Sequence, residues 1–196
     1  LPQWIRENLT EPEKETAVVL CNESLLQPVL HSLPENIRHI NITMGFPLSQ
    51  TPAYSFVKAF VELHTEGYDA KAGHFLFAPV VSLLKHPSMQ KISPHTANVE
   101  SELVKGNRFY PLPSELSKDG VLEKAFSPCA GNLSLCERLS SLLKQIATLH
   151  KGEKTGDAYD QLYQEALFKA YTMTNRFRSL VEDKELDVKT ETFRRL

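Results

Sequence analysis

An α/β beginning followed by a predominantly α-helical remainder is the fold class this sequence predicts, on three observations. First, a short apolar run with a β-branched centre, Thr16-Ala17-Val18-Val19-Leu20-Cys21, is followed within thirty residues by a helical-period segment and then by an alternating one. That is the strand–helix–strand order of an α/β start. Second, beyond residue 48 the apolar residues recur at helical spacing in one segment after another. Third, 8 glycines in 196 residues are too few for a barrel built on tight turns or for a glycine-rich phosphate loop. Hydrophobic residues at 41% and charged residues at 23% are ordinary for a globular chain and exclude a disordered or collagen-like one. No apolar stretch approaches the roughly 18 residues that a membrane span needs.

The elements follow in order. Residues 1–16 are polar after Trp4 and Ile5, an exposed helix or lead-in. The run at 16–21 fits a strand buried on both faces, as in a parallel sheet. Asn22-Glu23-Ser24 can cap a helix carrying Leu25, Leu26, Val29, Leu30 and Leu33, which Pro34 closes. Ile37, Ile40, Ile42 and Met44 alternate with polar neighbours, the period of a half-buried strand. Thr51-Pro52 is a cap followed by proline at the first helical position. It opens a helix whose face is Phe56, Val57, Phe60, Val61 and Leu63, ending at Gly67. A second helix carries Phe75, Phe77, Val80, Val81, Leu83 and Leu84 and stops at His86-Pro87. A helix near 94–105, an extended 108–113 and a short helix around 114–124 come next. Asn132 caps a helix bearing Leu135, Leu139, Leu142, Leu143, Ile146 and Leu149, with Gly152 just past its end. Asp157 starts the longest helix, striped by Tyr159, Leu162, Tyr163, Ala166, Leu167, Ala170, Tyr171, Phe177, Leu180 and Val181. The division is an α/β portion at 1–48 and a helical portion at 49–196. The opening Leu1-Pro2-Gln3-Trp4 without Met, and the unstopped end at Arg194-Arg195-Leu196, read as a piece cut from a longer chain.

Catalytic chemistry finds little to hold. Gly-x4-Gly-Lys-Ser/Thr, Gly-x-Gly-x-x-Gly and Gly-x-Ser-x-Gly are all absent, so no phosphate loop or nucleophile elbow is expected. The seven histidines lie singly; His64 and His74 flank a loop and could meet, but solvated or helix-end positions are expected. Cys21, Cys129 and Cys136 are an odd set that reads as reduced thiols of a cytoplasmic protein, packed as small hydrophobes. Cys129 and Cys136 lack the second close ligand pair that zinc needs, and no metal or cofactor is expected. The Asn-x-Ser/Thr triplets at Asn8, Asn22, Asn41 and Asn132 read as chance, Asn22 and Asn41 lying in or beside apolar runs. Asp187-Val188-Lys189 has the acid-x-Lys form of metal-dependent nucleases, without the strand pair that would bring a second carboxylate. A solvated charged turn is the plainer reading.

Aromatic residues interleave with cations at Asn107-Arg108-Phe109-Tyr110 and Asn175-Arg176-Phe177-Arg178, a pattern able to stack single-stranded bases. Packing of Phe177 in the helix stripe and of Tyr110 before its proline is the structural alternative. Lys105, Arg108, Arg176 and Arg178 are the candidate DNA-binding residues, with Lys169, Arg194 and Arg195 able to extend a basic face. The formal net charge of −2 supplies no general attraction for phosphate.

One stretch resembles a known family. Ala17 to Leu30, then Ile40-Asn41-Ile42-Thr43-Met44-Gly45-Phe46-Pro47-Leu48 with Thr51-Pro52, and Leu83-Leu84-Lys85-His86-Pro87, are similar to AddB-like helicase–nucleases of the PD-(D/E)XK nuclease superfamily, Bacteroidetes type. The resemblance spans residues 17–87. It implies a fragment of the second helicase-like motor domain of superfamily 1 with its helical insertion, from a protein of double-strand-break repair and recombination. Cys21-Asn22-Glu23 stands where working helicases carry an arginine, which implies that this segment does not handle ATP. No catalytic residue transfers. The expected role is a non-catalytic scaffold and DNA guide. The expected partners are the rest of the parent chain or a partner subunit, and DNA, with no membrane contact. A protein–protein interaction module without DNA contact is the alternative, and a small Mg-dependent nuclease using Asp187 and Lys189 a third.

Overall fold

A computed structural model describes residues 3, 17–33, 45, 47–152 and 158–186. The chain divides into two compact units, Leu1–Phe46 and Pro47–Leu196. In the first unit, the Asn22 carboxamide accepts hydrogen bonds from the Ser24 amide (3.0 Å) and hydroxyl (2.8 Å). A 3₁₀ turn at Glu23–Leu25 leads from it into helix α1, Leu26–His31. The helix start read from Asn22-Glu23-Ser24 is therefore present. The buried strand before it is not: residues 17–20 have no strand pairing, and Val19 is 85% exposed. A doubly buried strand needs neighbours on both edges and cover on both faces, and the described residues supply neither. Its expected partner at 37–44 lies outside the described residues. Asn22 and Cys21 are also exposed, against the expectation that both stand in apolar surroundings.

Among its described residues the second unit is mostly helical, with a small two-stranded antiparallel sheet. Thr51 opens α2, Pro52–Thr65, as its sequence predicts: its Oγ1 accepts from the Tyr54 amide (3.2 Å) and donates to the Leu48 carbonyl (2.6 Å). Phe56, Phe60 and Leu63 are fully buried along one face. The helix ends at Thr65, and the chain passes position 67 as glycine because a Cβ there would lie 2.7 Å from the Leu63 carbonyl oxygen and 2.9 Å from Pro79. A hairpin then pairs β1, Tyr68–Asp69, with β2, His74–Phe75. The Asp69 carboxylate closes its turn by accepting from the Lys71 and Ala72 amides. These two-residue strands are too short for a period-2 signal, so Phe75, expected on a helix, lies on a strand instead.

Helix α3, Phe77–Leu84, and α4, Pro87–Ile92, meet at His86. The proline expected to end one helix also begins the next, since proline is accepted at the first helical position. Helix α5, Thr96–Lys105, stands where it is expected. The single helix expected at 114–124 is two, α6 (Pro113–Leu116) and α7 (Gly120–Phe126). The break is Asp119, whose Oδ1 accepts from the Val121 and Leu122 amides while Oδ2 accepts from the Ser93 hydroxyl at 2.5 Å. The two longest helices, α8 (Asn132–Gly152) and α9 (Ala158–Glu182), form the most extensive pair. Helix α8 continues through Gly152 rather than stopping before it. α9 also packs on α2, and α4 and α7 pack on α8. The core joins Phe56, Phe60, Phe75, Phe126, Leu142 and Leu143. Leu149 and Tyr171, assigned to inward stripes, are exposed. Among the described residues no helix is long and apolar enough to cross a membrane.

Candidate nucleic-acid interface

Helix α5 ends in a two-bond lock. The Asn107 amide donates to the Val104 carbonyl (3.2 Å) and the Arg108 amide to the Leu103 carbonyl (2.9 Å), with Asn107 left-handed at φ 49°. This is the Schellman arrangement, and asparagine is the non-glycine residue that tolerates it best. The lock turns the chain sharply and launches residues 108–112 along the free side of the hairpin. Phe75 and Phe77 donate from their amides to the carbonyls of Pro111 (2.9 Å) and Phe109 (3.0 Å). Pro111 takes the buried position. Alternation along an extended chain then turns Tyr110 and Leu112 outward, but it does not account for Phe109, two residues before Pro111 and exposed as well.

Phe109 is 61% and Tyr110 62% exposed, which corrects the expectation that Tyr110 is packed against its proline. Each ring is steadied by one aromatic neighbour. Phe109 meets Phe77 edge-on at 6.1 Å, and Tyr110 leans on His74 at 4.8 Å. The remaining surface of both rings faces solvent. Lys105 and Arg108, two of the four candidate DNA-binding residues, are exposed immediately before these rings in the chain. The Arg108 guanidinium lies 3.5 Å from Glu115, whose other carboxylate oxygen accepts from the Leu112 amide at 2.8 Å. Glu115 thereby anchors the strip at both ends and offsets part of its positive charge.

The other two candidate residues are elsewhere. Arg176 and Arg178 lie on α9, which packs on α2 and α8. Arg176 is exposed, whereas Arg178 is half-buried beside Cys136 with its Nε unbonded. Two residues on a helix point about 200° apart, so the pair forms no single patch. Lys169 is exposed on the same helix. Arg194, Arg195, Asp187 and Lys189 lie outside the described residues.

Three arrangements that sequence reasoning did not foresee also bear on chemistry. The Ser55 hydroxyl lies 2.9 Å from His86 Nε2, the spacing of a nucleophile–base pair. The protonation pattern is wrong for that task. His86 Nδ1 accepts from the Ser88 amide at 3.2 Å as the cap of α4, so Nε2 carries the proton and donates to Ser55. Ser55 in turn donates to the Pro52 carbonyl. Burial holds the His86 pKa below its usual value, against the opposing pull of the Pro52 carbonyl. The pair is a structural clasp between α2 and α4.

His64, expected in solvent or at a helix end, is buried, and its Nε2 donates to the Ala125 carbonyl at 2.9 Å. Desolvation lowers its pKa to about 4, opposed by that bond and aided by Arg138. His150 is likewise buried, edge-on to Tyr163. His64 contacts Phe60 and Phe75 whereas His74 contacts Tyr110, so the two histidines serve different surroundings. Cys129 is half-buried and Cys136 buried, and desolvation pushes the Cys136 thiol up to about 11. Among the described residues no group of three or more His, Cys, Asp or Glu is placed to hold a metal ion.

Finally, a half-open apolar groove of about 180 Å³ runs between α2, α8 and α9. Val57 and Val61, Cys136 and Leu139, and Met173 and Phe177 form its three walls. No protein-family model, no curated protein and no solved structure matches this chain.

Proposed function

We propose that this chain is a non-catalytic scaffold and DNA-guiding segment of an AddB-like helicase–nuclease acting in double-strand-break repair and recombination. The parentage rests on the resemblance over residues 17–87. Two of its quoted motifs, Thr51-Pro52 and Leu83-Leu84-Lys85-His86-Pro87, are neighbours in space, because His86 bonds Ser55 one turn into α2 and packs against Phe56 at 5.3 Å. Residues of this kind set the joint between helices, which accounts for their presence in a segment without catalytic groups.

The observation that carries the DNA-guiding role is the strip at 105–112. Two aromatic rings are held more than half exposed, directly after two exposed cations. Exposing large rings forgoes the roughly 1.5–3 kcal/mol that burying each would contribute. Stacking of unpaired bases, about 1–3 kcal/mol per base, would recover it. Backbone phosphates would meet Lys105 and Arg108.

Fluorescence anisotropy of labelled single-stranded and forked DNA, at about 50 and 200 mM salt, tests the reading. Binding that weakens steeply with salt is expected. The paired change Phe109→Ala and Tyr110→Ala should weaken it at least tenfold at both salt concentrations. Arg108→Glu should weaken it chiefly at low salt. A folded chain that binds neither DNA at 50 mM sinks the DNA-guiding role.

A further inference from the structure

The cation that leads into the exposed rings is itself held in place. Gly106 leaves open the space that the Arg108 stem lies over: a Cβ at 106 would come within 3.3 Å of its Cγ and 3.8 Å of its Nε. Glu115 Oε1 stands 3.5 Å from the same Nε, with the Arg108 side chain 63% and the Glu115 side chain 33% exposed. The carboxylate is fixed in turn, because Glu115 and Leu112 bond each other twice. The Glu115 amide donates to the Leu112 carbonyl (3.0 Å), and Glu115 Oε2 accepts from the Leu112 amide (2.8 Å). Following Arg108 outward would break the second bond, so the anion stays behind the strip. Lys118, three residues on, does not neutralise it, being paired with Glu102 at 3.0 Å.

A fixed anion at this place acts differently on the two forms of DNA. A duplex keeps its base faces inside the stack and offers the strip phosphate alone, at one charge per roughly 1.7 Å of axis. A phosphate that engages Arg108 either displaces Glu115 or lies beside it. The first loses the ion pair, and the second sets two anions against each other. A single strand meets the same obstacle at its phosphates. It also lays bases on Phe109 and Tyr110, whose exposed faces Glu115 leaves untouched.

We infer that Glu115 is the residue that turns the strip away from duplex and toward unpaired DNA. This role rests on the reading of 105–112 as a DNA contact, and adds which form of DNA the contact accepts. Discrimination of this kind needs an element that penalises the wrong ligand beside those that attract the right one. Glu115→Gln isolates that element, since the amide oxygen can still accept from Leu112 while the charge is lost.

Labelled oligothymidine is titrated with the full chain by anisotropy at about 50 mM salt, and unlabelled duplex is added as competitor. Glu115→Gln should tighten the duplex about three- to fivefold, within the range that an exposed ion pair spans, and oligothymidine by a clearly smaller factor. In the Arg108→Ala background the same change should tighten neither. Equal tightening of the two DNAs, or none of the duplex, overturns the role of Glu115. So does tightening that persists in Arg108→Ala, which makes Glu115 one charge among the chain's overall balance. Failure here is separable from failure of the strip itself. If oligothymidine binds and is lost with Phe109→Ala and Tyr110→Ala, while Glu115→Gln leaves the duplex unchanged, the role of Glu115 falls alone. A folded chain that binds neither DNA, with or without the change, takes both down.

Discussion

His64 carries the clearest single-residue consequence of the fold. Its pKa is about 4 in the folded chain against 6.5 for the free side chain, because a buried imidazolium would lie among Phe60 and Phe75 without water. Between those values the unfolded chain binds the extra proton and the folded one does not. Stability is therefore complete above pH 6.5 and is lost as pH falls toward 4, by about 3 kcal/mol at the lower limit. His86 works in the same direction, since protonating Nδ1 would also remove the cap of α4. Urea unfolding at pH 7 and pH 4.5 should show the drop, and His64→Gln, which keeps a donor for Ala125, should flatten most of it. An unchanged pH dependence in that variant would remove His64 from the account. None of this was legible in the sequence. A histidine at position 64 sits on the apolar face of α2 by spacing alone, but whether water reaches it depends on α7, sixty residues later, bringing the Ala125 carbonyl to it.

At the scale of elements, helix starts were legible because capping is local chemistry. Thr51-Pro52 announces α2 within four residues of chain, and the structure uses Thr51 Oγ1 as that motif implies. Thr51→Ala should cost about 1 kcal/mol in thermal or denaturant unfolding. Asp119 should cost more. Asp119→Ala removes the oxygen that accepts from two amides and leaves the fully buried Ser93 O–H without its acceptor, so about 2–3 kcal/mol is expected, while Asp119→Asn should recover part of it. Equal stability of Asp119→Ala and the parent chain would mean that α6 and α7 do not depend on this joint. The short elements escaped sequence reading for the opposite reason. Two-residue strands and a six-residue helix contain too few positions to show a period, and β1 and β2 exist because the hairpin, α2 and the 109–111 segment hold one another. The strip's outward rings belong to this class. Arg108-Phe109-Tyr110 marks a cation–aromatic pattern, but the segment's place beside the hairpin is set by the bonds of Pro111 and Phe109 with Phe75 and Phe77, which come from residues more than thirty positions away.

For the whole molecule, the buried core among the described residues runs from Ala53 to Ala170, so the helical unit holds a hydrophobic core of its own. A chain shortened to begin at Pro47 should keep its helicity and unfold in one transition, with a midpoint within a few degrees of the full chain's. Loss of helical signal on that truncation would show that the first unit contributes to the second's stability. Local pattern was enough for the helical character of most residues beyond 48, the start of α2, and the apolar stripes that became the α2–α8–α9 core. Those follow from side-chain periodicity and capping, which act within a few residues. Exposure was set by tertiary packing: Val19 in solvent, His64 and His150 inside, Phe109 and Tyr110 at the surface, and Arg178 half-buried beside Cys136. Exposure depends on partners brought from distant parts of the chain, and no local pattern records which partners arrive.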